Sequence, residues 1–532
     1  MTKDINKISR MAVYDAQGRR QHLASGEGAF APLRPTGRGV LLLGLGGDVA
    51  ACVRQFSAMA GDAAVYWLEA PAMSAQRDAL DPAWRSRLPG NFVEIALDGQ
   101  NAAARRHTLA QAAQGRQIWQ FAQNMRLFPN FWGEVWGVLQ AEMLHLPPAA
   151  PLSGGERPWV LLPGDTGSLL HREVAQGFAA AGCDVRGLDT ANPAVAREPW
   201  RAVAALLREG RPRCCVAING RGLDAQGLAH ALLAACGVPV VLWFVDNPWH
   251  ILSALRQDWW KRCLVCVTDA SFIPPLHTAG AAQVRHLPLA AAQHMFAPLP
   301  GDAPAQAAPL LFVGRASFPA HDRFFAAARV DADVEREALA LLDADGPPPD
   351  FAWWVERLGV ALWPGAEVRC AGLGAERCAR AQRARWLAVA AGLGVQVYGD
   401  ATWRELVPQL APEQLHPPVD YYGSLPRLYA SAACTLNVTS LLLPWGLTQR
   451  HFDVWAAGGL LLTNATRGLD IFPAELVREI HVPAPAALPD YLRRLDNDAR
   501  LRHELRTAWA ACIRRAHTYT HRAQTILDWL PD

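Results

Sequence analysis

Arg450 and Asp453 are the residues whose types and spacing point most directly to chemistry. They open a candidate helix, Gln449 to Ala457, which follows an apolar run, Cys434 to Val438, and a polar loop. The apolar run is typical of a buried parallel strand, and helix N-termini at the carboxyl ends of such strands attract anionic groups. A guanidinium binds phosphate oxygens in a two-pronged way and stays charged. The pattern predicts half of a nucleotide-binding α/β unit in which Arg450 clamps a diphosphate; the competing interpretation is a surface salt bridge.

The loop and the helix ends supply further candidates. Thr439 and Ser440 lie in the loop, where their hydroxyl groups could donate hydrogen bonds to phosphate. Asp453 could accept hydrogen bonds from ribose hydroxyl groups, or it could cap the helix. Gly458 ends the helix, as a residue that tolerates positive φ does, and it is counted among the ligand-binding candidates. Leu460 to Thr463 is predicted as the next strand.

A second strand and glycine turn stand earlier in the same region. Leu310 to Val313 is predicted as a strand, Gly314 and Arg315 as its turn, and Arg323 as part of the following helix. Gly314 could donate a hydrogen bond to phosphate, and the two arginines are secondary candidates for holding the diphosphate.

Strands that alternate with helices run through most of the chain. Candidate strands lie at 37–47, 64–69, 159–162, 183–188, 214–218, 239–245, 264–268, 310–313, 394–398, 434–438 and 460–463. Continuous apolar strands separated by helices indicate parallel sheets covered on both faces. The predicted fold class is therefore α/β.

Breaks in this pattern predict the domain organisation. We expect an N-terminal α/β accessory domain at 1–150, a second α/β domain at 158–300, a third at 301–500 with a helical insertion at about 330–390, and a C-terminal helix at 501–532. The stretch 147–157, PPAAPLSGGER, is the predicted linker. Asn101 to Leu146 is expected to be rich in helix. A chain of 532 residues is long enough for three or so domains.

Composition excludes several classes of protein. A hydrophobic fraction of 51% with 19% charged residues is that of a globular protein with large cores. The net charge of +2 gives no electrostatic case for nucleic acid, and the basic run Arg380 to Arg385 is interpreted as a solvated helix face. No apolar segment reaches the roughly 18–20 residues that span a bilayer, and the first residues lack the apolar core of a signal peptide. Together with eleven cysteines scattered through apolar runs, this predicts a cytoplasmic protein.

Several spaced motifs resemble one family. The runs Arg450-His451-Phe452-Asp453, Ala456-Ala457-Gly458-Gly459 and Leu461-Leu462-Thr463 resemble the C-terminal motif of CgeB-type (spore maturation protein) glycosyltransferases, which belong to the GT-B enzymes that use nucleotide-sugar donors. The turn Asp246-Asn247-Pro248-Trp249 and the tail motif His517 to Arg522 also resemble that family. The resemblance covers about 160 to 530, and the order of the motifs makes the set fairly specific. It implies a GT-B-like pair of Rossmann-type parallel-sheet domains facing a cleft, here with the extra N-terminal domain.

The resemblance also implies roles for individual residues. The family's acidic residue after an aromatic is expected to bind the donor ribose, and the matching residue here is Asp453, where Glu is usual. A second Glu of the related donor motif falls at Trp445. Two runs lie where family members wrap the base: Tyr398 to Trp403, with Tyr398 and Gly399 as the candidates, and Ser424 to Pro426. The nucleotide sugar would be a substrate, so no cofactor is expected.

Glycosyl transfer often needs a base that deprotonates the acceptor hydroxyl. Asp246 follows a strand of the second domain and faces the expected cleft, while Asp165 and His171 are alternatives from the first turn of that domain. A carboxylate after a strand more often caps the next helix, and a retaining reaction needs no enzymic base. No metal-binding acidic cluster stands at a suitable turn, so metal independence is predicted.

Three functions follow for comparison. The first is a glycosyltransferase acting on a protein, with flagellin as one acceptor, or on a surface glycan; the GLGG strand end at Gly44 to Gly47 resembles the start of proteins associated with flagellin glycosylation. The second is a non-catalytic nucleotide-sugar-binding or scaffold protein, motivated by Trp445 and Asp453. The third is an NAD-dependent enzyme that uses the Gly44 turn, with Glu69 at the distance of a ribose contact.

Overall fold

Parallel strands build three separate sheets in the computed structural model, which describes residues 11–146, 157–165, 167–296, 308–344 and 346–531. Two of the three sheets are parallel throughout, and the third has one antiparallel edge strand. The predicted fold class, two parallel-sheet domains preceded by a further α/β domain, is confirmed. The predicted linker lies outside the described residues except for Arg157, as do residues 301–307 at the predicted start of the third domain.

The N-terminal domain contains a small hairpin and a five-stranded sheet. Its strands are β1 (Ala12–Tyr14), β2 (Arg20–His22), β3 (Phe30–Arg34), β4 (Val40–Leu43), β5 (Val65–Leu68), β6 (Phe92–Glu94) and β7 (Gln117–Phe121). Its helices are α1 (Val49–Ala60), α2 (Pro71–Leu80), α3 (Ala102–Ala113), α4 (Asn124–Leu127) and α5 (Pro129–Met143). The sheet order is β3-β7-β4-β5-β6, with β3 antiparallel to β7. Helices α3, α4 and α5 make the segment Asn101 to Leu146 rich in helix, as predicted, but the segment also contains β7, which pairs on both edges and buries Ile118 and Phe121.

The middle domain is a six-stranded parallel sheet. Its strands are β8 (Trp159–Pro163), β9 (Asp184–Leu188), β10 (Cys214–Ile218), β11 (Val240–Phe244), β12 (Leu264–Val267) and β13 (Gln283–His286). Its helices are α6 (His171–Ala180), α7 (Pro193–Arg197), α8 (Pro199–Glu209), α9 (Leu228–Ala235), α10 (Pro248–Leu252) and α11 (Ile273–Thr278). The order is β13-β12-β11-β10-β8-β9. Strands β8, β10, β11 and β12 are buried along their whole length, as continuous apolar runs predict.

The third domain is built on a five-stranded parallel sheet in the order β16-β15-β14-β17-β18. Its strands are β14 (Leu310–Val313), β15 (Val395–Tyr398), β16 (Leu415–His416), β17 (Thr435–Asn437) and β18 (Leu461–Thr463). Its helices are α12 (His321–Phe324), α13 (Ala332–Leu341), α14 (Phe351–Leu358), α15 (Val368–Ala391), α16 (Thr402–Leu406), α17 (Leu425–Ser431), α18 (Arg450–Ala456), α19 (Ala474–Ile480) and α20 (Leu488–Asn497). We call this unit the rear domain.

Helices α13 to α15 pack against the middle domain and the sheet of the rear domain. The first half of α15, with Val368 and Ala375, shares a hydrophobic core with middle-domain residues such as Trp249 and Leu276. The second half, with Leu387, belongs to the core of the rear domain. Outside the cores, Trp363 Nε1 donates to the Leu255 carbonyl at 3.0 Å, and Arg369 Nε donates to Ser253 Oγ at 2.9 Å.

The C-terminal tail consists of two helices, not the single helix expected from the sequence. Helix α21 (Ala499–Ala516) packs on the rear domain, and α22 (Tyr519–Trp529) returns to the middle domain. Helix α21 ends before His517, whose backbone angles are not helical. Thr518 then opens α22, and its Oγ1 contacts His521 Nδ1 at 2.6 Å. Arg522 holds this crossing by donating to the carbonyl oxygens of Leu289 at 3.0 Å and Ala516 at 3.2 Å.

Helix α5 joins the N-terminal and middle domains. Leu139 on one face belongs to the N-terminal core, whereas Ala141 and Trp136 belong to the core of the middle domain. At Gly137 a Cβ atom would lie 2.4 Å from the Ala231 carbonyl oxygen, so the two backbones touch.

Among the helices of the described residues, none combines the length and apolarity that crossing a bilayer requires.

Gly177 tests the packing of the tail on the middle domain. A Cβ atom at this position in α6 would lie 2.5 Å from the Tyr519 carbonyl oxygen at the start of α22. We expect Gly177→Val to lower the free energy of unfolding by about 1–3 kcal/mol, because overpacking displaces backbone as well as side chains. Urea unfolding followed by tryptophan fluorescence measures this. Gly90→Val is the matched control, since nothing lies within 4 Å of its Cβ position; equal unfolding midpoints for the two variants would contradict the packing.

Candidate functional site

The carboxyl ends of the middle and rear sheets face each other. Gln449, just before α18, donates from Nε2 to the Ala290 carbonyl at 2.6 Å. Asn247, after β11, donates from Nδ2 to the Leu442 carbonyl at 3.0 Å, and the Trp445 amide donates to Asp269 Oδ2, after β12, at 3.0 Å. Ligands of open α/β sheets bind at this edge. The arrangement therefore places two ligand-binding edges against one interface.

A crevice of about 280 Å³ opens at this interface. Its walls come from the loops after β8, β10, β11 and β13, and Gln449 closes it from the rear domain. The lining residues are Pro163, Gly164, Ser168, Leu169, Leu170, His171, Ile218, Asn219, Arg221, Val245, Asp246, Leu289 and Gln449. Two of the three predicted base candidates, Asp246 and His171, lie in it.

Asp246 is held in a fixed orientation at the mouth of the crevice. Asn219 Nδ2 donates to Asp246 Oδ2 at 2.8 Å, and Asn219 Oδ1 accepts from the Val245 amide at 3.0 Å, which fixes the direction of the amide. Asp246 is exposed, yet the surrounding protein desolvates its carboxylate enough to raise its pKa, against the opposing effects of Asn219 and Arg221. A carboxylate of raised pKa at the end of a strand suits a general base.

His171 and Asp165 are held differently from Asp246. The His171 ring is buried, and its Nε2 lies 3.1 Å from the Leu162 carbonyl. A carbonyl oxygen only accepts, so Nε2 carries the proton in this contact, and Nδ1 of the neutral ring is the nitrogen that can accept one. Asp165 Oδ1 accepts from the Gly167 amide at 2.9 Å within its own turn, and the residue does not line the crevice.

Arg450 lies between the ends of β14 and β17 in the rear domain. Its Nε donates to Asn437 Oδ1 at 2.7 Å, and a Cβ atom at Gly314 would lie 3.7 Å from its terminal nitrogen. Burial lowers the pKa of the Arg450 guanidinium. Among the described residues no carboxylate forms an ion pair with it, so the surface salt bridge considered as the competing interpretation is not present.

Arg383 is a second cation at this position that the sequence did not identify. It donates from its two terminal nitrogens to the carbonyl oxygens of Arg315 and Ala316, both at 3.0 Å, and lies 3.5 Å from the buried Glu376. The positive charge of Arg383 also lowers the pKa of Arg450. The interpretation of 380–385 as a solvated helix face was wrong for Arg383, because α15 directs this side chain under the loop after β14.

The remaining residues that were predicted to bind the sugar donor lie in two different parts of the rear domain. Tyr398 stacks on His416 at 4.6 Å between ring centroids, at the ends of β15 and β16. At Gly399 a Cβ atom would lie 2.4 Å from the Gly314 carbonyl oxygen, so these two loops approach through glycine backbone. Thr439 and Ser440 instead line a neighbouring cavity of about 460 Å³, not the crevice.

Arg315, Arg323 and Gly458 are the remaining predicted residues. Arg315 and Arg323 have exposed side chains. Gly458 adopts φ of 78° and ends α18, which places it at the opposite end of that helix from Arg450. Its prediction as a helix stop agrees with the structure; its prediction as a donor contact does not, because α18 runs away from the ligand-binding edge.

Asp453 is buried, and its carboxylate is occupied by protein donors. Oδ1 accepts from the Ala292 amide at 3.1 Å and from Gln449 Nε2 at 3.0 Å, while Oδ2 accepts from the Tyr421 hydroxyl at 2.7 Å. Desolvation raises the pKa of Asp453 to about 7, opposed by these hydrogen bonds and supported by the charge of Glu173. The structure thus corrects the ribose contact expected at Asp453, because the side chain joins two domains and has no path to a ligand.

The glycine turn of the N-terminal domain is filled by protein. Asn124 donates from Nδ2 to the Leu43 carbonyl at 2.8 Å and stands where a side chain at Gly44 would be. Glu69 accepts from the Leu45 amide at 3.1 Å and pairs with Arg77 at 3.5 Å. Glu69 is therefore committed to protein contacts and is not free for the ribose of a dinucleotide.

Comparison with known proteins identifies one family segment. Residues 380–528, which carry β15 to α21 and most of α22, match the family described as glycosyl transferase-like. No curated protein matches the chain. Among the described residues no group of three or more His, Cys, Asp or Glu is placed to hold a metal ion.

Solved structures similar to this chain are glycosyltransferases of low identity. The T4 phage β-glucosyltransferase in complex with UDP-glucose has 10% identity over 70% of this chain and 98% of that chain, with a TM-score of 0.39. MurG of Acinetobacter baumannii has 12% identity over 70% and 99%, with a TM-score of 0.29. Phytolacca americana UGT2 has 10% identity over 93% and 99%, with a TM-score of 0.26. Scores below 0.5 carry no information about the site of this chain.

The buried carboxyl of Asp453 generates a pH dependence of stability. In the unfolded chain an aspartate titrates near 3.8, whereas in the folded protein the pKa of Asp453 is about 7. Between about pH 4 and pH 7 the folded state therefore binds one more proton, and the free energy of unfolding falls as pH rises, by up to about 1.4 kcal/mol per pH unit. We expect Asp453→Asn to remove this slope in urea unfolding measured at several pH values. The exposed Asp62→Asn is the control; a slope that persists in Asp453→Asn would contradict the assignment.

Proposed function

We propose that this protein is a glycosyltransferase that moves a sugar from a nucleotide-sugar donor to an acceptor hydroxyl. The observation that carries the proposal is a crevice between the middle and rear domains that Asp246, a carboxylate of raised pKa, lines and that Gln449 closes. Arg450, which has no carboxylate partner among the described residues, directly follows Gln449 on the segment that matches the glycosyl transferase-like family. A transferase of this kind needs a base for the acceptor and a cation for the departing diphosphate.

The donor diphosphate would bind between Arg450, Arg383 and the backbone of the Gly314 loop. The charge of Arg383 helps to lower the pKa of Arg450, and the only ion pair of either arginine among the described residues joins Arg383 to Glu376. A bound diphosphate supplies the missing negative charge. As the bond from sugar to phosphate breaks, charge grows on the leaving oxygen, and guanidinium groups stabilise it more in the transition state than in the ground state.

The stacked rings of Tyr398 and His416 would contact the nucleotide base, the role that the resemblance implies for Tyr398. Because Gly399 has no side chain, the backbone that follows Tyr398 lies close to the Gly314 loop. Arg315, which is exposed beside the same loop, remains a secondary candidate for a phosphate contact.

Asp246 would take the proton of the acceptor hydroxyl in an inverting reaction. Asn219 holds one carboxylate oxygen, which leaves the other free to accept from the acceptor. The raised pKa makes the carboxylate a better proton acceptor near neutral pH, where a base of matched pKa is most effective. In a retaining reaction Asp246 would position the acceptor without taking its proton.

Donor binding requires the interface to change shape. The crevice of about 280 Å³ is at the lower limit of ligand pockets, which range from about 300 to 1,000 Å³. Leu442 and Trp445 bridge from the rear domain to Asn247 and Asp269 and cover the space above β11 and β12. We infer that this loop, 439–448, moves when the nucleotide sugar enters, after which the crevice excludes water.

The acceptor we propose is a protein, with flagellin as one candidate, or a surface glycan, and the reaction is proposed to need neither a metal ion nor a cofactor. These statements extend the resemblance to CgeB-type enzymes. Donor hydrolysis that continues unchanged in the presence of EDTA would support the proposed metal independence, whereas loss of hydrolysis that Mn²⁺ or Mg²⁺ restores would refute it.

A non-catalytic nucleotide-sugar-binding or scaffold function is the second candidate. The observation that favours it is the bridging loop with Trp445, which occupies the interface in place of a ligand. Thermal shift with UDP-, GDP-, CMP- and TDP-sugars, followed by assay of donor hydrolysis, separates the two. Stabilisation without hydrolysis or transfer would favour the binding function.

Asp246→Asn tests the base. The amide keeps the shape but cannot accept a proton, so we expect turnover to fall by about 10²- to 10⁴-fold with unchanged donor affinity. Turnover is measured as release of nucleoside diphosphate from the sugar nucleotide that gives the largest thermal shift. Asp189→Asn is the matched control, because Asp189 follows β9 of the same sheet but does not line the crevice. Wild-type turnover in Asp246→Asn would show that the base is elsewhere or absent.

Arg450→Lys tests the diphosphate contact. Lysine keeps the charge but loses the guanidinium fork, so we expect donor affinity to weaken by about 10- to 100-fold, the value of one or two hydrogen bonds to a charged group. Isothermal titration calorimetry with the sugar nucleotide measures this. Arg478→Lys, at an exposed position of α19, is the control. Equal donor affinity in both variants would remove Arg450 from the proposed site.

A further inference from the structure

A cavity of about 620 Å³ lies in the N-terminal domain, more than twice the volume of the crevice. Gly47 and Asp48, which follow β4, form one side, and residues of α2 and the turn after it form another. The cavity thus stands at the carboxyl ends of β4 and β5, the edge of a parallel sheet where ligands bind. Its size falls within the range of about 300 to 1,000 Å³ that small-molecule sites occupy.

The walls of this cavity are mainly apolar. Val49 and Val53 come from α1, Leu80 and Trp84 from the end of α2 and its following turn, and Leu23 from the β1–β2 hairpin region. Leu80 is 63% exposed, although few large hydrophobic side chains of the described residues are exposed. Exposed apolar surface within a concavity indicates a ligand that covers it.

Four of the five charged side chains that line the cavity have partners within the protein. Asp48 Oδ1 accepts from the Ala51 amide at 2.9 Å and caps α1. Arg77, which is 3% exposed, pairs with Glu69 at 3.5 Å and donates to the Gly46 carbonyl. Asp81 pairs with Arg87.

Arg54 is the fifth charged residue, and it has no ion pair or side-chain hydrogen bond within the part of the chain that the structure describes. It projects from the second turn of α1 beside Val53. A guanidinium without a protein partner next to an apolar wall matches a ligand that has one negative charge and an apolar body.

The same charges disfavour a dinucleotide. The carboxylate of Asp48 already occupies the N-terminus of α1, where a pyrophosphate would bind. Glu69, the residue that would hold the ribose, is buried against Arg77. A diphosphate would therefore meet a fixed negative charge and lack its sugar contact.

We propose that this cavity is a second ligand site, which binds a small amphipathic anion with its apolar or aromatic body against Trp84, Val53 and Leu80 and its single carboxylate or sulfonate group at Arg54. The site is separate from the crevice and does not depend on the proposed transferase activity.

Two fluorescent probes test the site on the full-length protein. 8-Anilinonaphthalene-1-sulfonate has an aromatic body and one sulfonate, and N-phenyl-1-naphthylamine is its uncharged counterpart. We expect saturable binding of the sulfonate probe with one site per chain. We expect Arg54→Gln to weaken the affinity for the sulfonate probe by about ten-fold, the value of one charge-assisted hydrogen bond. The affinity for the uncharged probe should stay unchanged.

Two further variants address the walls. Ala50→Trp fills the cavity from an exposed position of α1 and abolishes binding of both probes, and Leu80→Gln weakens both probes equally. The matched controls are Arg38→Gln and Ala103→Trp, at exposed positions of the same domain outside the cavity. Unfolding midpoints equal to that of the wild type show that each variant is folded, and Leu80→Gln serves if Ala50→Trp is not.

Three results would overturn the proposal. Wild-type affinity for the sulfonate probe in Arg54→Gln would remove the anionic contact. Unchanged binding of both probes in the folded wall variants, or equal loss in the control variants, would place the probes elsewhere. Displacement of the sulfonate probe by NADH would indicate a dinucleotide site instead of a site for a small amphipathic anion.

Discussion

The hydrogen-bonded contact between Gln449, Asp453 and the segment Ala290–Ala292 determines where the rear domain stands relative to the middle domain. Gln449 donates to Ala290 and to Asp453, and Asp453 accepts from Ala292. Tyr519 of the tail adds a hydrogen bond to Gln449 Oε1 at 2.9 Å. Gln449 is half-buried and its partners Asp453, Ala290 and Tyr519 are buried, an environment in which a hydrogen bond is stronger and an unpaired group costs more. Because Arg450 directly follows Gln449, the orientation of the cation depends on this contact.

Desolvation shifts the pKa of one ionisable side chain in each of the two domains. On the middle domain it raises the pKa of Asp246, and on the rear domain it lowers the pKa of Arg450. The protein compensates neither group with a full opposite charge, and each has a fixed neighbour in Asn219 or Asn437. An amide orients a charged group without neutralising it. Both groups therefore keep their charge uncompensated by an ion pair, at the cost of some stability.

The elements around the site could be predicted from sequence because their signals are local. The strand and helix at 434–457 follow from an apolar run, a polar loop and the Gly458 stop, and the structure has them at Thr435–Asn437 and Arg450–Ala456. Strand β7 was not recognised because its five residues alternate weakly and lie among good helix formers. The tail was expected as one helix because the break at His517 depends on contacts of Thr518 and Arg522.

The roles of side chains depended on partners distant in sequence. Asp246 was predicted as a candidate because it follows a predicted strand, and Arg450 because it opens a predicted helix at the same edge of a sheet, where ligands of α/β folds bind. Asp453 stands at the same edge, yet its partners Ala292 and Tyr421 are brought to it only by the assembled domains. Arg383 had no local signal at all, since its contacts with the loop after β14 span 67 and 68 residues.

Helix α15 has a consequence for how ligands reach the interface. With 24 residues at about 1.5 Å each it is a rod of about 36 Å, and its two halves are anchored in the cores of different domains. A rod fixed at both ends resists any change in the spacing of the bodies it joins. Wide separation of the middle and rear domains would have to extract one end of α15 from its core. Ligand access to the interface then depends on the ten-residue loop 439–448. The rate of ligand entry should respond to substitutions in that loop more than to solvent viscosity, which slows the motion of whole domains.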